Sequence, residues 1–502
     1  MGTWRRIAQA RALAPVVLVS SLLCLGTAWA LSSPVGSSPD DDFHLPSIWC
    51  SATAGSDLCR PIGPSDRDGY RWVEVPAALG PDVACYRYQI FESAACQEFD
   101  PSGTVDTTSN DGLYPGGYYA VMGILAGKNV IQSAVLMRIV NFALCLGLIA
   151  CAFFVAQPSI RRIAMVGIGA TSVPMIFFLW SSTNPSGVSI AVAISTWIVL
   201  TSLSEELSKR KQVVGWTVVG LGSLLALTSR SDAGLFLLIV VGSVALSLPR
   251  DRVVRIARSR VFVGLVGLAI LFVAFAIAAR YPDSGPFVGM QKENYGRGFD
   301  EVFFYNFVNI PLLWTGPLGT QGLGWLDTEM PAFVPFITVS LVVMLVVHGL
   351  LAGARTTARS TAFVIGCLFV IPFYVMAADR SLVGEIFQSR YLLPLLPILV
   401  MSACSGSPRV DSGAVPRGVW IGGGVALALA HSISLHANTR RYTTGVEYRT
   451  WNLDAPREWW WNWGPSPNFN WIVGSLAFVA ACWSANRLLG LSPTARRGAI
   501  RG

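Results

Sequence analysis

The chain has 502 residues, 53% of them apolar and only 13% charged, with a net charge of +8. Soluble domains carry about 25% charged residues, so water cannot solvate this much apolar surface, and a soluble globular protein is excluded. The basic excess sits in short connectors between apolar runs, which makes the charge a mark of membrane orientation and gives no reason for a nucleic-acid partner.

Twelve runs approach the length needed to cross a hydrocarbon layer of ~30 Å. They are 13–31, 134–156, 163–181, 187–203, 213–229, 233–248, 261–279, 333–353, 361–377, 391–405, 418–436 and 470–488. Several hold only 16–17 residues and need neighbouring helices to shield their ends. The pattern predicts an all-α integral membrane protein with about twelve transmembrane helices, in the plasma membrane. With the N-terminus in the cytoplasm, 21 of the 37 basic residues fall inside beside only Glu205, Glu206, Asp251 and Asp411. Short basic connectors on one face are the positive-inside signature, and they put both termini in the cytoplasm.

In chain order, residues 1–31 form the first transmembrane helix or, alternatively, a signal peptide cleaved after Ala28-Trp29-Ala30. An outer loop spans 32–133, and helices two to seven fill 134–279. A second outer loop covers 280–332, helices eight to eleven 333–436, a Trp-rich outer loop 437–469, and the last helix with a basic cytoplasmic tail 470–502. Long loops on one face are where binding and chemistry usually sit.

The first outer loop opens with Pro39-Asp40-Asp41-Asp42-Phe43-His44, the densest acidic cluster of the chain. Like charges this close raise at least one pKa unless a cation compensates. An Asp so placed can take a proton from a hydroxyl; the alternative is a solvated acidic turn. The same loop holds Cys50, Cys59, Cys85 and Cys96, which predicts two disulfides in an oxidising compartment. Three connectivities are open, the local one being Cys50–Cys59 with Cys85–Cys96.

Further along, Arg138 lies inside the second run, and Arg230 and Asp232 lie in the turn after the fifth. Arg390 stands where the tenth begins. Charge at membrane depth costs ~2.5–3.5 kcal/mol, so these arginines pair, snorkel or hold a phosphate, which guanidinium groups match bidentately. Phe303 to Trp314 predicts an interfacial amphipathic helix. Trp451, Trp459, Trp460, Trp461 and Trp463 form either an aromatic belt or a surface that stacks on sugar rings or holds a lipid tail. The histidines other than His44 have no metal-ligand spacing, and no phosphate-cradling glycine loop precedes a helix.

Taken together, Pro39-Asp40-Asp41-Asp42-Phe43-His44, Asn184-Pro185-Ser186-Gly187, Gly322-Leu323-Gly324-Trp325-Leu326-Asp327-Thr328 and Gln388-Ser389-Arg390-Tyr391-Leu392-Leu393-Pro394 resemble an uncharacterised actinobacterial family of large membrane proteins. The likeness runs from about residue 35 to 465. That family looks like a branch of the GT-C superfamily of membrane glycosyltransferases. The resemblance implies transfer of a sugar from a polyprenyl-phosphate donor to an extracytoplasmic glycan or protein acceptor. Asp40 is then the general base. Asp41, where the family has Glu, and His44 are further catalytic candidates. Arg230, with Asp232, and Arg390 would hold the lipid phosphate, and Gln388 and Asp327 would touch sugar hydroxyls. Asp40 and Asp41 permit a divalent cation without demanding one. Two other classes remain at this stage: a transporter or flippase of lipid-linked saccharides, and a non-catalytic envelope assembly protein.

Overall fold

The computed structural model describes residues 2–53, 55–98, 103–279, 296–407, 410 and 417–488. The stretch 280–295, Arg409 and the basic tail beyond Leu488 lie outside them. The first part of the chain forms α1 (Gly2–Leu31), α2 (Asp41–Thr53), α3 (Gly117–Gly123), α4 (Val130–Val155), α5 (Pro158–Ala170), α6 (Pro174–Trp180) and α7 (Pro185–Leu203). Next come α8 (Lys209–Leu227), α9 (Ala233–Ser247), α10 (Arg250–Ala257) and α11 (Arg260–Ala279). The last part holds α12 (Phe299–Asn309), α13 (Pro311–Thr315), α14 (Phe333–Ala352), α15 (Arg355–Asp379), α16 (Leu395–Cys404), α17 (Arg417–Thr443) and α18 (Pro467–Leu488).

Among the described residues, six segments are long and apolar enough to cross a membrane: Leu13–Leu31, α4, α7, α14, α15 and Gly418–Thr443. The chain is thus an α-helical membrane protein. The run 163–181 is not the continuous helix expected, because α5 and α6 meet at 97°. Pro174 has no N–H to continue the ladder, and the Thr171 and Ser172 hydroxyls turn back onto the Gly167 and Ile168 carbonyls at 2.7 Å. The tenth run shortens to the ten residues of α16, which are buried throughout. The helix α7 is wholly enclosed by protein and forms the central pillar. The first helix packs along the last: a Cβ on Gly474 would lie 2.8 Å from that of Ala28, so only glycine permits this approach.

The first long loop is not irregular. Antiparallel strands β1 (Arg60–Pro64), β2 (Tyr70–Pro76) and β3 (Thr104–Asn110) form a three-stranded sheet that the all-helical expectation lacked. In β2 the alternation that drives it is plain: Val73 and Val75 are buried while Trp72 and Glu74, on the opposite face, are not. The Asn110 N–H donates to Ser47 Oγ at 2.9 Å and fixes the sheet to α2. Both disulfides take the local connectivity, Cys50–Cys59 and Cys85–Cys96. The helix α12 lays Phe303, Phe304 and Phe307 on the surface, while Phe303 and Phe307 also pack on Phe373 and Phe369.

Candidate functional site

Three consecutive carboxylates leave the acidic turn in three directions, and each meets an arginine from a different part of the chain. Asp40 Oδ2 accepts from Arg390 at 2.7 Å. Asp41 lies 3.8 Å from Arg138, and Asp42 accepts from Arg87 at 2.9 Å. The backbone makes this splay possible. Asp40 adopts φ 62°, in the left-handed region that Asp tolerates better than most residues. Its carbonyl accepts from the Phe43 and His44 N–H groups at 3.0 and 2.8 Å. Asp41 and Asp42 then occupy the first turn of α2, where the helix dipole favours negative charge.

Asp41 is fully buried and structural in its contacts. It accepts from the Thr183 hydroxyl at 3.0 Å and from the Ser38 N–H at 3.1 Å. Burial pushes its pKa up to about 6, against the lowering pull of Arg138. Like-charge repulsion from Asp42 is the smallest contribution, so the shift anticipated from crowding arises mainly from desolvation. Arg138 is itself buried. It donates to the carbonyls of Ala30 at 3.1 Å, Ser33 at 2.7 Å and Pro34 at 2.6 Å, clamping the segment that joins α1 to the turn.

Asp40 is the accessible acid, its side chain 42% exposed, whereas Arg390 is 2% exposed. Arg390 stands on the single turn Ser389–Leu392, and its guanidinium lies 5.4 Å from the Tyr391 ring. Arg230 packs on the same ring, also at 5.4 Å. It grips Asp232 bidentately at 2.8 and 2.6 Å and donates to Ser186 Oγ at 2.9 Å. Tyr391 is therefore the ring that the two candidate phosphate-binding arginines share. The Asn184-Pro185-Ser186 corner ties both sides together. Asn184 donates to the Pro39 carbonyl at 3.0 Å and accepts from the Ser186 N–H at 2.9 Å.

His44 lies beneath the turn, buried, with Nδ1 2.9 Å from the Tyr119 hydroxyl. Burial lowers its pKa to about 4, Asp40 opposes this, and Arg230 and Arg390 add to it. It is a neutral imidazole at physiological pH. That Asp40, Arg230 and Arg390 all act on this one ring, and Asp40 and Arg230 also on Tyr114 beside it, places the three in a single electrostatic neighbourhood.

The remaining candidates sit apart. Asp327 is buried and accepts from Arg441 at 3.0 Å and from the Tyr88 N–H at 3.1 Å. Its neighbour Trp325 donates to the Gly36 carbonyl at 2.9 Å and carries Arg87 on its face at 4.7 Å. Gln388 precedes the Arg390 turn, and its Oε1 is buried with no donor among the described residues. Sequence reading overlooked Arg87, Tyr391, Tyr119 and Thr183. Only Tyr391 carried a signal, as the neighbour of Arg390 in its motif.

The carboxylates do not fit a cation cage, since each oxygen set turns to its own guanidinium. Among the described residues, no group of three or more His, Cys, Asp and Glu side chains gathers to hold a metal. No step of the chemistry below is routed through one.

Comparison with curated proteins finds no match, and comparison with solved structures finds none. A family model described as predicted membrane protein (DUF2142) matches residues 23–399, which take in the acidic turn, the Asn184 corner, Arg230, Asp327 and Arg390. This chain is a member of that membrane-protein family.

Proposed function

We propose that the protein is a cell-envelope glycosyltransferase of GT-C type, moving a sugar from a polyprenyl-phosphate donor to an extracytoplasmic glycan or protein. The observation that carries this reading is the contact of Asp40 with Arg390, with Arg230 held against the same Tyr391 ring. An exposed carboxylate paired with a buried guanidinium, with a second, part-buried guanidinium on the same aromatic ring, supplies a proton acceptor and an anion site together. In the reaction, Asp40 takes the proton of the acceptor hydroxyl. The oxygen bonds to the anomeric carbon as the bond from that carbon to the phosphate oxygen breaks. The electron pair departs with the polyprenyl phosphate, whose charge Arg390 and Arg230 stabilise in a low-dielectric setting. Asp40 uses one of the five N–H donors of Arg390, which leaves donors for phosphate.

This reading takes about twelve crossings, with α5 and α6 counted as one and the buried α16 shielded by its neighbours. Both termini lie in the cytoplasm, the disulfide-bonded face lies outside, and α12 lies along the interface with its exposed phenylalanines in lipid.

The test is a transfer assay on the full chain in liposomes, with radiolabelled polyprenyl-phosphate pentoses and hexoses and a cell-wall glycan extract as acceptor. Asp40→Asn lowers the rate about 100-fold or more, the scale of a lost general base, with an unchanged gel-filtration profile. A variant as active as the parent removes Asp40 from the chemistry. Sugar movement across the bilayer without transfer would turn the reading to a transporter.

A further inference from the structure

We infer that the Trp-rich segment forms a saccharide-binding subsite that takes a single sugar ring, a role the acidic turn does not need. A cavity of about 150 Å³ lies among Trp459, Trp460, Trp461, Trp463, Gln97 and Asn462. A cavity of that size accepts one six-membered ring. The indoles pack on one another, Trp459 edge to face on Trp461 at 5.1 Å and 64°, and Trp461 tilted against Trp463 at 5.6 Å and 39°. The electron-rich indole faces attract the weakly positive C–H groups of a sugar ring.

The indoles are anchored before any ligand arrives. Trp461 Nε1 donates to the Leu31 carbonyl at 2.8 Å and Trp460 Nε1 to the Pro465 carbonyl at 2.5 Å. Gln97 is held likewise, its amide N–H groups donating to the Val35 and Val83 carbonyls at 3.0 and 2.6 Å, while its carbonyl oxygen has no donor among the described residues. The Asn462 carboxamide and the Trp459 and Trp463 indole N–H groups have no protein partner among the described residues. An isoprenoid tail offers these groups no hydrogen bond, whereas sugar hydroxyls pair with them. Apolar walls with a few fixed polar groups are the usual make-up of a small-ligand site.

The place suits a membrane-proximal glycan. Val35 and Ile131 also line the cavity, one just beyond α1 and the other in the first turn of α4, at the ends of two membrane-crossing helices. Val35 is five residues from Asp40, and a chain that short spans at most about 17 Å. A saccharide of two or three rings covers that distance.

Saturation-transfer-difference NMR on the full chain in a sugar-free detergent tests this, using methyl glycosides of common hexoses and pentoses, with geraniol as the apolar probe. At least one glycoside receives saturation at its ring protons. Asn462→Ala and Trp463→Ala, both at exposed positions, each cut that signal fivefold or more with the gel-filtration profile unchanged. Failure of every glycoside to bind overturns the inference. So does binding that survives both substitutions, and so does displacement of all glycosides by geraniol. Parent protein that binds a glycoside but transfers no sugar keeps this subsite and removes the glycosyltransferase reading instead.

Discussion

Replacing Arg138 with methionine leaves Asp41 buried without its cation and takes the donor from three carbonyls. Breaking a buried pair by deleting one partner costs ~3–5 kcal/mol. With an unfolding entropy of roughly 2.1 cal/mol/K per residue, a 502-residue chain loses about 1 °C of Tm per kcal/mol, so the expected drop is about 3–5 °C. The charge contribution carries its own signature. Asp41 in the parent has its pKa raised to about 6 by burial, and Arg138 is what keeps it from rising further. In Arg138→Met the folded-state pKa is higher still. Below about pH 6 the carboxyl is protonated in both proteins, and the deficit reflects the carbonyls alone. As pH rises through 6 the parent ionises beside its cation while the variant must hold a proton or bury an anion, so the gap widens and then levels off. Fluorescence-detected thermal unfolding in detergent at pH 5 and pH 8 reads this directly. The double variant Arg138→Met with Asp41→Asn keeps the pH 5 deficit and loses the pH dependence. A gap of equal size at both pH values in the single variant refutes the assignment of Asp41 as a buried, arginine-held carboxylate.

Two more outcomes follow from geometry on the same face. Non-reducing peptide mapping yields Cys50–Cys59 and Cys85–Cys96 linkages, and Cys50→Ser with Cys59→Ser costs about 2–3 kcal/mol by the loop-closure relation, measured as a lowered Tm. His44 has its pKa lowered to about 4 by burial, so the unfolded chain binds more protons between about pH 6.5 and 4, and the histidine costs stability as pH falls through that window. His44→Gln lessens the Tm loss on acidification from pH 7 to 4.5, and an unchanged slope would show that the imidazole is not buried neutral.

Hydropathy gave the membrane class because a lipid-crossing helix needs little beyond a long apolar run, and Val130–Val155 or Phe333–Ala352 can be read at sight. It failed at 163–181, where Pro174 and two back-bonding hydroxyls bend a continuous apolar stretch. The acidic turn and Arg390 stood out as local oddities, charges where the membrane makes charge expensive. Their pairing was not legible, because nothing in composition links residues 350 positions apart. Arg87 had no mark at all, being one arginine among several in a polar loop. The left-handed backbone at Asp40, on which the three-way splay depends, is invisible without φ. Arg138 was noticed for its cost, but its carbonyl partners belong to a segment whose path only the folded chain reveals.

The splay of the acidic turn also sets an order of events during synthesis. Asp41 finds Arg138 as soon as α4 joins α1 in the bilayer, whereas Asp40 waits for a residue 350 positions downstream. Membrane insertion therefore closes the Asp41 half of the turn early and the Asp40 half only after residue 390 has been made. A polypeptide stopped short of Arg390 leaves Asp40 unpaired on an already anchored scaffold, so the complete site is a late product of biogenesis.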